Sequence, residues 1–231
     1  MGVGQDRWVR ISRALASGHP VARGLCSACA ETLSVAGAGI TLIAVDGTQV
    51  AMCASNPTVR GLAELEFTLG EGPASDTHQR GVPVLECDLV HAPPARWAAF
   101  AGSAVDAGIG AVYAFPLRLG AARLGALIAY QEHPGTLSEE TSADALAAAD
   151  VITRAIVSRQ AGMPEEALLA ELADDGAFRA QVHQAAGMVS VQLGISVGDA
   201  LSRLRARAFA ADRTIGDVAA DVVSRRLRFD E

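Results

Sequence analysis

The chain has 231 residues, half of them hydrophobic, enough for one large domain or two modest ones around a sizeable buried core. All 19 basic residues are arginine, and the net charge of −7 is unevenly spread: residues 1–177 carry 11 Arg against 20 acids, residues 178–231 carry 8 Arg against 6 acids. This balance excludes a chain that is basic throughout, leaves a mildly basic C-terminal segment suited to a polyanion, and comes with no run of about 18 uninterrupted apolar residues that would span a membrane.

In chain order, Met1 to Arg13 lacks the long apolar run of a signal peptide. Gln5 to Val35 reads as helical, with a break near Gly18-His19-Pro20. Gly39 to Val45, the pair Asp46-Gly47, and Thr48 to Ser55 read as a β-hairpin, because Asp-Gly between β-prone runs supplies the positive φ angles of a tight turn. Val82 to Cys87 is a short strand, and Pro83 confines it to an edge or a strand start. Pro93 to Ala107 is a short helix that tolerates Pro94 in its first turn. Ala111 to Leu119, the turn Gly120-Ala121, and Ala122 to Gln131 form a second hairpin, which requires a third strand or a helical cover. Ser138 caps a long helix through Gln160, with Glu139 and Glu140 in its first turn and Leu146, Ala149, Ile152, Ile156 and Arg159 along one face. Gly162-Met163-Pro164 interrupts it, Glu165 to Ala173 resumes helical character, and Asp174-Asp175-Gly176 breaks it again, which puts the domain boundary in this stretch.

The last 54 residues read as three short helices. Phe178, Val182, Ala185, Val189 and Leu193 recur at helical spacing up to Gly194. Ser196 with Asp199, and Thr214 with Asp217, each resemble a capping box with Asp in place of Glu or Gln. Val197, Leu201, Leu204 and Ala208 mark the buried face of the second helix; Ile215, Val218, Val222, Val223 and Leu227 mark that of the third.

Val182-His183-Gln184-Ala185-Ala186-Gly187-Met188-Val189, then Leu204-Arg205-Ala206-Arg207-Ala208, then Asp217-Val218-Ala219 resemble an ANTAR domain over residues 178–229. Gly39-Ile40-Thr41 with its hairpin, Leu69-Gly70-Glu71-Gly72-Pro73, Gly81-Val82-Pro83-Val84, Phe115-Pro116-Leu117 and Leu124-Gly125-Ala126-Leu127 resemble a GAF domain over residues 10–160, leaving 161–177 as a helical linker. The two resemblances imply an α+β fold, an antiparallel-sheet sensor domain joined to an all-α three-helix bundle. They imply a cytoplasmic regulator of transcription antitermination that binds paired hairpins in leader RNA, acts as a homodimer through its long helix, and senses an unknown small molecule or other signal. No enzyme activity, metal or cofactor is expected. Many modules of the C-terminal family carry a basic residue where this chain has Ala186, so one RNA contact is expected to be missing.

RNA loops are gripped through phosphates and through splayed bases stacked on aromatic or guanidinium planes, and arginine serves both. The candidate RNA-binding residues are therefore Arg203, Arg205, Arg207, Ala208, Arg213, Arg225 and Arg226, with Arg228 beside them; Ala208 and Ala219 would leave room for a base or a close backbone, or else pack helices tightly, and Phe209 would stack a base or serve as a hydrophobic staple or core residue. Two other functions are open: a DNA-binding regulator in which the second and third helices imitate a helix-turn-helix, and a redox sensor built on Cys26, Cys29, Cys53 or Cys87. The four cysteines are expected to be free thiols, as suits a reducing compartment, with Cys26 and Cys29 a buried structural pair on one helix face. The Leu69 to Pro73 stretch lacks the Lys and Ser/Thr of a phosphate loop and is expected to turn over the sensor pocket.

Overall fold

A computed structural model of the chain describes residues 3–17, 22–44, 47–93, 96–160, 181–211 and 213–229. Its elements run α1 (Val3–Ser17), α2 (Ala22–Leu33), β1 (Gly37–Ile43), β2 (Gln49–Ala54), α3 (Pro57–Leu69), α4 (Pro73–Arg80), β3 (Val84–Glu86), α5 (Ala98–Asp106), β4 (Ala111–Leu119), β5 (Ala122–Gln131), α6 (Glu139–Gln160), α7 (181–193), α8 (Val197–Ala210) and α9 (Ile215–Val223). The expected linker helix at 165–173, the breaks at 162–164 and 174–176, Phe178, the Gly18-His19-Pro20 break, Asp46, Pro94 and the side chain of Arg159 lie outside the described residues.

Both expected hairpins form, and they join edge to edge through β1 and β5. The result is a five-stranded antiparallel sheet in the order β2-β1-β5-β4-β3. The strand after Pro83 takes an edge, pairing only with β4. Alternate residues of β4 point to opposite faces: Ala111, Tyr113, Phe115 and Leu117 join one core with Ile11, Leu33 and Ile152, whereas Val112 and Ala114 join a second with Leu62, Trp97 and Phe100. The helices α1, α2 and α6 thus cover one face and α3, α4 and α5 the other. Cover on both faces is why the strands read as nearly unbroken apolar runs.

Ser138 caps α6 as expected, its Oγ accepting from the Thr141 N–H. The buried stripe of α6 is Ala145, Ala148, Ala149, Ile152 and Ile156; Leu146, expected on that stripe, is 46% exposed. The alanines let the helix lie close on the sheet, and Leu146 falls one residue, about 100° of helix rotation, off that line. The buried Asp144 holds α1 to α6 by accepting from Arg7 (2.9 Å) and Arg10 (2.6 Å).

The sequence reading missed α3 and α4. Asn56 caps α3, its side chain accepting from the Val59 N–H, and Pro57 occupies the first turn. Gly70 ends α3 in the left-handed region, and Pro73 opens α4. The expected helix over 93–107 begins later, at Ala98. The expectation of four free thiols is also corrected: Cys26 of α2 is bonded to Cys53 of β2, with Cα atoms 6.0 Å apart. Cys53 points to the face that α2 covers, so the partner of Cys26 lies across the layer and not one turn along its own helix. Cys29 is a buried free thiol, pushed up to about 12 by desolvation.

Candidate functional site

The helices α7, α8 and α9 share a core of Val182, Ala185, Val189, Leu204, Ile215, Val218 and Val222. Gly194 (φ 64°) ends α7 as its position suggests. Both N-caps form, with the Asp carboxylate accepting from the cap hydroxyl rather than from the cap N–H of a full capping box: Ser196 Oγ accepts from the Asp199 N–H at 3.1 Å while donating to its carboxylate, and Thr214 does the same with Asp217. Val197, expected on the buried face of α8, is 51% exposed, because that face begins at Ala200.

One member of this core comes from elsewhere. Phe67, near the C-terminal end of α3, is fully buried among the C-terminal helices. Its ring lies 6.3 Å from the His183 ring of α7 and 5.7 Å from the Arg205 guanidinium of α8. Arg205 Nε donates to the Phe67 carbonyl at 3.0 Å, and the guanidinium lies over Gly70, where an added Cβ would come within 3.0 Å of it. Arg205 therefore sits as a cation at the C-terminus of α3, where exposed carbonyls concentrate negative potential. Burial lowers its pKa.

Glu66 stands behind this contact. Its carboxylate is buried and accepts from the Ala74 N–H (2.9 Å) and the Ser75 N–H (3.3 Å) at the start of α4. Desolvation, with a smaller contribution from Asp76, pushes the Glu66 carboxyl up to about 8 against the pull of those two N–H donors. Gly72 must be glycine here, since a Cβ would strike Glu66 Cγ at 2.4 Å. The Leu69 to Pro73 stretch thus makes the turn between α3 and α4, and it links the buried acid, the α4 N-terminus and the docked arginine.

The sequence-derived candidates divide into three groups. Arg203, Arg207 and Arg225 are exposed and form no ion pair among the described residues, and the same holds for Arg228. Arg213 and Arg226 both bind Asp221, each at 2.8 Å, and the two guanidinium groups hold the Asp221 carboxyl below its usual range. Arg205 faces the sheet domain. Ala208 is fully buried in the three-helix core, which corrects its reading as an exposed RNA contact and favours the tight-packing alternative. Ala186 is fully buried too, one turn from His183 on α7, so this position faces packing. Phe209 is 73% exposed, which rules out the staple role.

Two depressions flank these residues. A cleft of about 1330 Å³ lies between α3, α5 and α8, and its lining mixes Glu64 and Glu71 with Arg205, Arg213 and Phe209. A groove of about 540 Å³ lies between α7 and the segment after α9, and no carboxylate among the described residues lines it. Sequence reasoning missed Glu66 and Phe67. Once α3 is assigned, Val59, Leu62, Ala63, Glu66 and Phe67 fall on one stripe, and an acid on an apolar stripe is the signal that marks the position. Among the described residues no group of His, Cys, Asp and Glu could hold a metal, and no helix is long and apolar enough to cross a membrane.

No family model and no curated protein matches the chain. Solved structures do. The GAF domain of a phosphoenolpyruvate-protein phosphotransferase from Coxiella burnetii aligns over 68% of this chain and 95% of its own, at 17% identity and a TM-score of 0.53. The GAF domain of an Acinetobacter phosphoenolpyruvate-protein phosphotransferase aligns over 71% of this chain and 99% of its own, at 15% identity and a TM-score of 0.49. A phycocyanobilin-bound GAF domain from a cyanobacterial phytochrome aligns over 71% and 100%, at 13% identity and a TM-score of 0.47. About two-thirds of the chain therefore has a GAF-domain fold.

Proposed function

We propose that this GAF-like fold is the sensor of an RNA-binding regulator of transcription antitermination, and that α7, α8 and α9 form its ANTAR module. The reading divides the chain into a sensor at 10–160, a linker at 161–177 and an RNA-binding module at 178–229. Its partners are paired hairpins in leader RNA, a signal molecule, and a second copy of the chain; Trp8, Val9 and Leu146, part-exposed apolar side chains of α1 and α6, are the surface offered to that copy. The supporting observation is the division among the arginines. Arg205 and Phe67 attach the helical trio to a sensor helix, while Arg203 and Arg207, four residues apart on α8, project outward without acidic partners among the described residues.

This arrangement gives an RNA-binding face whose position depends on α3 and on the α3–α4 turn. A signal acts on it only if it binds two arrangements of that junction unequally. The test is the affinity of the full chain for a labelled RNA of two small hairpins. Arg207→Ala is expected to weaken binding about tenfold, the loss of one good charged contact, with the circular dichroism melt unchanged. Undiminished binding by Arg207→Ala and Arg203→Ala together would remove α8 from the interface.

A further inference from the structure

We infer that the groove between α7 and the segment after α9 holds one unstacked base of a single-stranded RNA loop, with Arg225 and Arg228 on the flanking phosphates. The inference deepens the RNA-binding reading above, rests on it, and places the base contact away from the Arg205/Arg213 side of the bundle.

Shape comes first. Gln184, Gly187, Met188, Val191 and Gln192 form one stripe of α7 along the groove. A Cβ on Gly187 would meet nothing within 4 Å, so the missing side chain opens the space. Val191 is 85% exposed, an apolar side chain that packing within the bundle does not use. Gln192 accepts from the Phe229 N–H at 3.0 Å, which folds the chain end back along α7 and leaves the glutamine NH₂ to donate. A volume of about 540 Å³ suits one nucleotide, within the roughly 300–1,000 Å³ common to small-molecule sites.

Charge selects the occupant. Glu64 and Glu71 line the larger cleft and would repel a phosphate there, whereas this groove has two arginines and no acid among the described residues. The nearby Asp221 is already shared by Arg213 and Arg226, which leaves Arg225 and Arg228 without acidic partners among the described residues. An apolar floor beside guanidinium planes is the chemistry that stacks a splayed base and tracks its backbone.

The turn after α9 fixes where Arg225 stands. Arg225 has φ 60°, the left-handed region in which helices commonly end. Three hydrogen bonds hold the turn: Arg225 N–H to the Val222 carbonyl, and Arg226 and Leu227 N–H to the Asp221 carbonyl.

The test uses the full chain and a small RNA hairpin carrying 2-aminopurine at each loop position in turn. One loop position is expected to change emission on binding. Val191→Glu and Arg228→Ala are each expected to lower hairpin affinity about tenfold and to abolish that emission change; Arg225→Gly is expected to lower affinity while keeping or raising thermal stability. Wild-type affinity in all three variants, with Arg207→Ala still impaired, would overturn the groove and leave the RNA-binding reading standing. A failure of the wild-type chain to bind the hairpin would overturn both. A changed oligomeric state in Val191→Glu with unchanged RNA affinity would make the groove a contact between copies of the chain, against this inference.

Discussion

Glu66 occupies a place where the stripe of α3 calls for an apolar side chain, and the chain keeps it there as a largely protonated acid near neutral pH. The pH dependence follows in sign. An unfolded chain ionises Glu66 near 4.5, whereas the folded chain holds the proton up to about 8. The stability it contributes is therefore complete below 4.5 and is lost as pH rises toward 8 and beyond, on the order of 5 kcal/mol across the window. Glu66→Gln is expected to flatten this loss, so that the variant equals the wild type in thermal melts at pH 5 and exceeds it at pH 8.5. Parallel melts at both pH values would show the acid to be ionised in the fold. At this scale the sequence was partly legible. It named the arginines of the C-terminal helices but not their partners: Asp221 for Arg213 and Arg226, and the Phe67 carbonyl for Arg205. Asp221 lies eight residues after Arg213, but Phe67 lies 138 residues before Arg205, and no local pattern joins those two.

At the scale of elements, the hairpins and the C-terminal caps were legible because their signals are local. An Asp-Gly pair, a Ser or Thr followed three residues on by Asp, and a glycine at a helix end each act through neighbouring backbone groups. Helices α3 and α4 were not legible, because Asn56-Pro57 and the glycines at 70 and 72 carry the same residue types as loop punctuation, and only the tertiary packing of the stretch between them distinguishes a capped helix from a loop. Yet α3 is the element on which the molecule turns. It packs Leu62 and Val59 toward the sheet and gives Phe67 to the three-helix core. Phe67→Ala is expected to cost about 3 kcal/mol, as large-to-small changes in a well-packed core do. Denaturant unfolding would measure the loss, and hydrogen exchange in α7 and α8 should accelerate. Unchanged exchange in those helices would mean that the trio stands without α3.

The described residues form three apolar cores: one on each face of the sheet and one in the C-terminal trio that borrows Phe67 from the sheet domain. The α+β class was legible from strand patterning, and the resemblance of residues 10–160 to a GAF domain agrees with the fold of the solved GAF structure. The docking between the two parts was not, because it depends on one side chain crossing from a helix that the sequence did not announce. It bears directly on mechanism, since the docked arginine and the outward arginines belong to the same helix, α8. Movement at the α3–α4 turn would shift both together.

The most direct test of an RNA-binding trio is the salt dependence of affinity for paired-hairpin RNA, measured on the full chain. With Arg203, Arg207, Arg225 and Arg228 on phosphates, log affinity should fall linearly with log salt at a slope of about −3, and a scrambled duplex should bind more weakly. An affinity indifferent to salt, or equal for the hairpins and the scrambled duplex, would contradict it.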